Sequence, residues 1–408
     1  MTLTTPLPDQ TRRKEAPPRA LLWLLIAIAS VGPMSLNILM PALPGIAVAL
    51  RSDPQTVQLT LSLYLVCMAI SQIVLGGLSD RFGRRPVLIA GLVLTVIVSL
   101  VAMLAMTISA LVAARALQAF GASTGIVISR AIVRDLYERD QAASMLASVT
   151  MVIMVVPMLV PPLGGFLDTN LGWHAIFACI SLFSAVVLVW VWIALPETHT
   201  ARVRGGGFVR FLQELSSLLA DRVFIGYVLA GATSSALFFV FLGGAPHVIV
   251  TLQGRGAFEL GVWLATASIA YMGGNFISAR YSTRFGVDAM VAAGAAVGVL
   301  GGVSIVVLVQ WFAHWGPLII CVPQWITAFA NGLLIPNAIA GAISIRPQAA
   351  GTAAGIHGFV QMLIAALSAQ WVSHLLAGGA TAMPMAWMIF AFSVLCAGSF
   401  LFLVRARS

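Results

Sequence analysis

The residues able to do chemistry are few, and two of them sit where water should not reach. Arg115 stands inside a long apolar run, three positions before Gln118. On a helix that spacing puts both side chains on one face, so the amide can hold the guanidinium. A charge at that depth costs ~2.5–3.5 kcal/mol on insertion scales, so it must face a polar chamber, meet a partner or snorkel to the nearer surface. His357 lies inside another apolar run. Histidine changes charge near pH ~6.5, which suits a proton carrier as well as a neutral hydrogen-bonding residue. A third group is Gly76-Gly77-Leu78-Ser79-Asp80-Arg81-Phe82-Gly83-Arg84-Arg85, which separates two apolar runs. Gly83 supplies the positive φ that so short a connection needs, and the arginines hold the segment at a membrane surface. Of the 13 acidic residues none falls deep within a run. Asp80, Asp135, Glu197 and Glu214 lie at one surface, Asp53, Asp168 and Glu259 at the other.

Several function classes drop out. The chain has no HExxH, no paired carboxylates within a run, no Gly-x-Ser-x-Gly turn and no GxxxxGK[ST] phosphate loop, so neither an enzyme nor direct ATP drive is expected. Nothing resembles a selectivity filter. Cys67, Cys179, Cys321 and Cys396 all fall in apolar runs without a CxxC pair, so no disulfide, metal or cofactor is expected. The net charge of +9 could serve a nucleic-acid binder, but the positive residues sit in gaps between apolar runs, and no nucleic-acid partner is expected.

The elements that position these residues follow from composition. The chain has 408 residues, 60% hydrophobic and 9% charged, against about 25% charged in a soluble domain. Its solvent must be lipid. A bilayer core of ~30 Å needs about 20 apolar residues in a helix, and twelve such runs occur, near 20–49, 57–79, 87–107, 108–130, 142–166, 173–195, 223–250, 260–279, 289–310, 317–343, 352–376 and 384–404. The runs lack the alternation of barrel strands. The expectation is an all-α polytopic membrane protein of twelve transmembrane helices. The segment Thr11-Arg12-Arg13-Lys14 faintly resembles a twin-arginine export signal, but the run after it is too long for a signal peptide and reads as a retained helix.

Every lysine and arginine except Arg51, Arg255 and Arg115 falls at one end of the runs. By the positive-inside rule that end and both termini are cytoplasmic, in what reads as a bacterial inner membrane. Residues 197–222 are polar, with Gly205-Gly206-Gly207, and read as a linker between halves 1–196 and 223–408. The halves echo each other. Arg81-Phe82-Gly83 follows the second run and Arg284-Phe285-Gly286 the eighth, at nearly the offset that separates Pro44 from Pro246.

Two parallel six-helix repeats, together with these motifs, resemble the major facilitator superfamily. The likeness covers nearly the whole chain and is strongest to the twelve-span drug:proton antiporter branch, in the bicyclomycin- and chloramphenicol-resistance group. It includes Gln58-Leu59-Thr60-Leu61-Ser62-Leu63-Tyr64, Arg81 to Pro86, and Ala131-Ile132-Val133-Arg134-Asp135. The resemblance implies the major facilitator fold in two six-helix bundles, and a secondary active multidrug exporter working by alternating access. Its loop signature would make Gly76, Asp80, Arg81, Gly83, Arg84 and Arg85 a conformational latch. Arg84 would pair with Asp135, and Asp80 would face the start of the eleventh helix near Gly351. Arg115 and Gln118 match the Arg-x-x-Gln motif linked to proton movement. Pro157, Pro161, Gly164 and Gly165 in the fifth run match the antiporter motif, found mainly in exporters, though Val160 stands where the general motif has glycine. The family implies protons, lipid and a drug-like small molecule as partners, and a monomer.

One departure bears on mechanism. Where the group reads Asp-Met-Tyr-Leu-Pro-Ala-Leu-Pro, this chain has Asn37-Ile38-Leu39-Met40-Pro41-Ala42-Leu43-Pro44. The expected carboxylate is missing, and His357 is the remaining candidate proton carrier. A chamber with Arg115 and no carboxylate favours neutral, zwitterionic or anionic solutes. Its expected lining is Asn37, Tyr64, Arg115, Gln118, Phe238, Tyr271, Asn275, Asn331, His357 and Gln361. The alternative on the same fold is an uptake symporter or facilitator for a small neutral or anionic metabolite.

Overall fold

The computed structural model describes residues 19–137, 145, 149, 155–198, 215–346 and 349–405. Most of the first part of the expected fifth span, and Gly205 to Gly207 of the linker, lie outside the described residues. Helices and short connections make up the rest, with no strand among the described residues.

The helices are α1 (Arg19–Asn37), α2 (Leu43–Ala49), α3 (Pro54–Phe82), α4 (Arg84–Met103), α5 (Ile108–Leu136), α6 (Val156–Leu171) and α7 (His174–Ala194). The second half has α8 (Arg222–Ala245), α9 (Ala257–Phe285), α10 (Val287–Trp311), α11 (Leu318–Ile345), α12 (Ala350–Leu376) and α13 (Met383–Ser399). Among the described residues ten segments are long and apolar enough to cross a membrane, counting α1 with α2, and bent α3 makes eleven. Helix α6, 16 residues long, belongs to the expected fifth span, most of whose earlier part lies outside the described residues.

Local chemistry accounts for the helix ends. The first span is expected as one helix but breaks after Asn37 into a short turn, Met40–Ala42, and α2. Pro41 and Pro44 offer no backbone N–H there, so an unbroken ladder is impossible. Asp53 caps α3, accepting from Thr56 N at 2.8 Å. That bond and a second from the Thr56 hydroxyl hold its carboxyl below the usual range. Gly83 (φ 100°) and Gly286 (φ 85°) each end one helix and start the next. The sequence echo is therefore an echo in backbone geometry, at a φ that disfavours any side chain.

The molecule is apolar outside as well as within. Ile193, Phe276 and Leu182 are 78%, 73% and 68% exposed, an apolar outer surface of the kind that multi-pass membrane proteins carry. Within the first half α3 and α4 pack on α5, and α7 packs on α4. In the second half α8 and α10 pack on α11, with α12 and α13 beside α8. The halves meet where α3 lies along α12, where α6 lies along α9, and where α2 touches the segment Pro246–Leu252.

This seam is tight at the arginine-poor end. Ser62 Oγ donates to Gln370 Oε1 at 2.9 Å, and Gln370 Nε2 donates to Gln55 O at 3.0 Å. Contact persists to Gln72 and Gly358, where the glutamine oxygen is 3.3 Å from the place a Cβ would take on the glycine. Beyond that level Gly76 and Gly77 on α3, and Gly351 and Gly355 on α12, have no neighbouring atom within 4 Å of such a Cβ. Along these two helices the arginine-rich end stands apart.

Candidate functional site

In the first half the expected site residues gather around Arg115, which has no solvent exposure and does not snorkel. Two helices, α1 and α3, and its own turn of α5 hold the guanidinium. Nη1 donates to Ser35 O of α1 at 3.0 Å and to Gln118 Oε1; Nε donates to Thr60 O of α3 at 3.3 Å. The Tyr64 ring lies 4.2 Å from the guanidinium carbon. Gln118 Nε2 in turn donates to Ser99 Oγ of α4 at 2.7 Å. Nη2 has no hydrogen-bond partner among the described residues. Carbonyl dipoles and an aromatic face thus stand in for a carboxylate. Hydrogen bonds to a charged donor are worth ~1.5–3 kcal/mol each, and a desolvated cation–π contact about 2 kcal/mol. Tyr64 lies under Arg115, fully buried, with its hydroxyl donating to Gly32 O at 3.2 Å, and Asn37 Nδ2 donates to Pro33 O at 2.8 Å.

The second half carries its own polar layer. Ser234 of α8 donates to Asn331 of α11, and Gln361 Nε2 of α12 donates to Ser235 Oγ at 2.8 Å. Asn275 Nδ2 donates to Tyr271 O at 3.0 Å, one turn away on α9. Phe238 lies edge-on to Phe239. His357 is 1% exposed, packs against Gly231 of α8, and its Nε2 lacks a hydrogen-bond partner among the described residues. The expected lining residues therefore form two clusters, one per half. A cavity of about 690 Å³ at the arginine-poor end contains none of them.

The loop signature builds a charged knot on the first half. Arg84 is 2% exposed; Nη1 reaches Asp80 Oδ1 and Ser79 Oγ at 2.6 Å each, and Nε reaches Asp135 Oδ2 at 2.9 Å. Arg81 stays exposed over the Phe82 ring. Asp80 does not face the start of α12 as expected: its side chain is half-exposed and Gly351 has open space around it. The separation of the halves at this end removes that contact. Glu197 was not foreseen in this cluster. Its carboxylate accepts from Arg84 N at 3.0 Å and Arg85 N at 3.2 Å, capping α4 from the far end of α7. Its Oε2 lies 2.6 Å from where a Cβ on Gly83 would stand, a second reason for glycine. Asp80→Asn removes the carboxylate charge opposite Arg84 and leaves only a hydrogen bond from the guanidinium to an amide oxygen. Transport in vesicles should fall, with the resting population moving further toward opening at the arginine-rich end; unchanged transport would remove the latch role.

The proline- and glycine-rich stretch of α6 packs on the end of the first span within its own half and on α9 of the opposite half. Gly164 packs directly on Ile38 O. A Cβ on Gly165 would lie 2.5 Å from Ala257 O of α9, and one on Gly261 would lie 2.5 Å from Pro161 O. Pro157 stands in the first turn of α6, and Val160 is accommodated as a buried side chain. The closest approaches fall at Gly164 and Gly165, one turn beyond Val160.

Comparison with known proteins agrees with this architecture. The chain is 26% identical over 377 residues to the bicyclomycin resistance protein homolog of Haemophilus influenzae, covering 92% of this chain and 94% of that protein. It is 30% identical over 339 residues to a chloramphenicol resistance protein of Pseudomonas aeruginosa, covering 83% and 80%. Among solved structures, a bacterial homolog of the human lysosomal transporter Spinster, inward-facing and unoccupied, superposes with a TM-score of 0.71 at 16% identity, covering 96% of both chains. The sequence profile of the Major Facilitator Superfamily matches residues 25–369. With that match over most of its length, the chain belongs to the Major Facilitator Superfamily of membrane transporters.

Proposed function

We propose that this protein is a secondary active exporter of antibiotic-type small molecules, coupled to protons and working by alternating access. The observation that carries the reading is the one-sided seam: α3 and α12 are joined at the arginine-poor end and stand apart at Gly76, Gly77, Gly351 and Gly355. Such an arrangement gives a solute access from one side at a time. The Spinster homolog was captured facing inward, and the arginine-rich end is cytoplasmic by the positive-inside rule. Both termini then lie in the cytoplasm of a bacterial cell, with bundles 1–196 and 223–408 joined by the linker 197–222, and the transporter acts as a monomer. Export rather than uptake is supported by the α6 segment and by relatives named for bicyclomycin and chloramphenicol resistance.

The solute chamber lies between the Arg115 cluster and the polar layer of α8, α11 and α12. With a fixed cation and no carboxylate in either cluster, it takes neutral, zwitterionic or anionic compounds in preference to lipophilic cations. Protons are carried by His357, the titratable ring left unpartnered in that layer. The test is chloramphenicol efflux from proteoliposomes under an imposed pH gradient. His357→Ala should keep substrate binding and lose the gradient-driven component, roughly 10-fold or about 1.4 kcal/mol of coupling. Gradient-driven efflux that survives the substitution overturns the carrier role. That none of the 13 acidic residues falls deep within an apolar run also favours a second reading, a facilitator. Efflux indifferent to the gradient in the parent protein would select it.

A further inference from the structure

The cavity of about 690 Å³ at the arginine-poor end is shared between the halves. Its walls come from α2, the start of α3, the end of α8 with its continuation Pro246–Leu252, and Ser373 near the end of α12. A pocket of this volume holds a drug-sized molecule. Three features set it apart from a passive depression. Gln58 is 3% exposed and lines the cavity, yet its Nε2 has no hydrogen-bond partner among the described residues. A buried amide donor left unmade costs ~1–3 kcal/mol, a cost that a ligand acceptor would remove. His247, from the opposite half, lines the same cavity with its Nε2 likewise unpartnered. Arg51, at the rim between α2 and α3, is held at φ 48°. It has the one positive φ found at a described residue other than glycine, and such outliers collect where a side chain is held for use.

The lining contains donors and no carboxylate. Two carboxylates stand nearby. Asp53 turns both oxygens to Thr56, and Asp168 of α6 approaches the α2 backbone at Gly45, 3.4 Å from where a Cβ would stand. Neither is part of the wall. We infer that this cavity is a second binding site, distinct from the chamber between the two polar clusters, for small aromatic carboxylates. The carboxylate is received by Arg51 and Gln58, and the ring lies among Val48, Val57 and Val250. Because both halves build the wall, the site exists only while this end is closed. A bound carboxylate stabilises that state and slows transport.

Three probes of one shape separate the charge classes: naphthalene-2-carboxylate, naphthalene-2-carboxamide and 2-naphthylmethylammonium. Calorimetric titration of the full chain in lipid nanodiscs should rank the carboxylate at least roughly 10-fold tighter than the ammonium, about 1.4 kcal/mol. Arg51→Asn keeps a residue tolerant of positive φ and should weaken the carboxylate alone. Gln58→Leu should weaken carboxylate and carboxamide together. Equal binding of all three probes, tighter binding of the ammonium, or full carboxylate affinity in Arg51→Asn protein with parental thermal stability would each overturn the assignment. These titrations need no transport, so they stand or fall apart from the exporter reading.

Discussion

Arg115→Met protein is expected to melt at the parental temperature or above it while exporting about 100-fold more slowly, a loss of ~2.8 kcal/mol at ~1.4 kcal/mol per decade. The two halves of that expectation come from opposite sides of one balance. Burying a guanidinium costs several kcal/mol even after relaxation, and no carboxylate among the described residues hydrogen-bonds to Arg115. Its return is bonds to Ser35 O, Thr60 O and Gln118, and the Tyr64 face. Replacing such a charge with an apolar side chain of similar volume is often neutral or stabilising. One cost remains, since Gln118 Oε1 loses its donor while Nε2 keeps Ser99. Function has no such compensation, because the guanidinium joins α5 to the α1 and α3 backbones at one point, through Ser35 O and Thr60 O. Arg115→Lys offers a control: its ammonium keeps the charge but cannot serve the same acceptors from a planar fork, so it should restore little transport. Thermal melting and vesicle efflux, measured together, decide the matter. A large fall in melting temperature would make Arg115 a structural residue.

Much of this architecture can be read from the chain because lipid imposes a simple rule: a run of about 20 apolar residues has to be a helix. Gly83 and Gly286 are legible for a similar reason, since a connection of one residue between two helices leaves little but glycine. The apolar run around Arg115 leaves it a chamber, a partner or the surface, and the choice among them is made by Ser35, Thr60 and Tyr64, residues distant in the sequence. What escapes the sequence is contact between residues far apart in it. Glu197 reads as one more charge at a helix end, yet it caps α4 across more than a hundred positions. Gln370 reads as a polar residue near a span end, yet its amide joins Ser62 and Gln55 of the other half. The cavity walled by Arg51, Gln58 and His247 arises only from how two bundles lean together, and no periodicity records that angle.

The same lean makes Gly165 the position where a small change should have the largest conformational effect. Gly165→Val is expected to move the resting population toward opening at the arginine-poor end and to abolish net export, with the protein still folded in the membrane. A Cβ there would lie 2.5 Å from Ala257 O and 2.7 Å from Phe258 Cα. Both are main-chain atoms, which cannot swing aside as a side chain would. Within one bundle, overpacking of this kind costs ~1–3 kcal/mol in strained geometry. Here the obstructing atoms belong to the opposite half, so the strain is relieved by parting α6 from α9. A bias of that size shifts a two-state equilibrium about 5- to 150-fold. Gly261 faces Pro161 O at 2.5 Å in the reciprocal contact, so Gly261→Val should produce the same displacement. The readout is the distance between spin labels at Leu171 and Trp315, exposed positions at the arginine-poor ends of the two bundles. It should lengthen in both variants and keep its parental value in Gly172→Val, where a Cβ meets nothing within 4 Å and only the local turn is strained. An unchanged distance in Gly165→Val protein, with export intact, would mean that this seam does not open during transport.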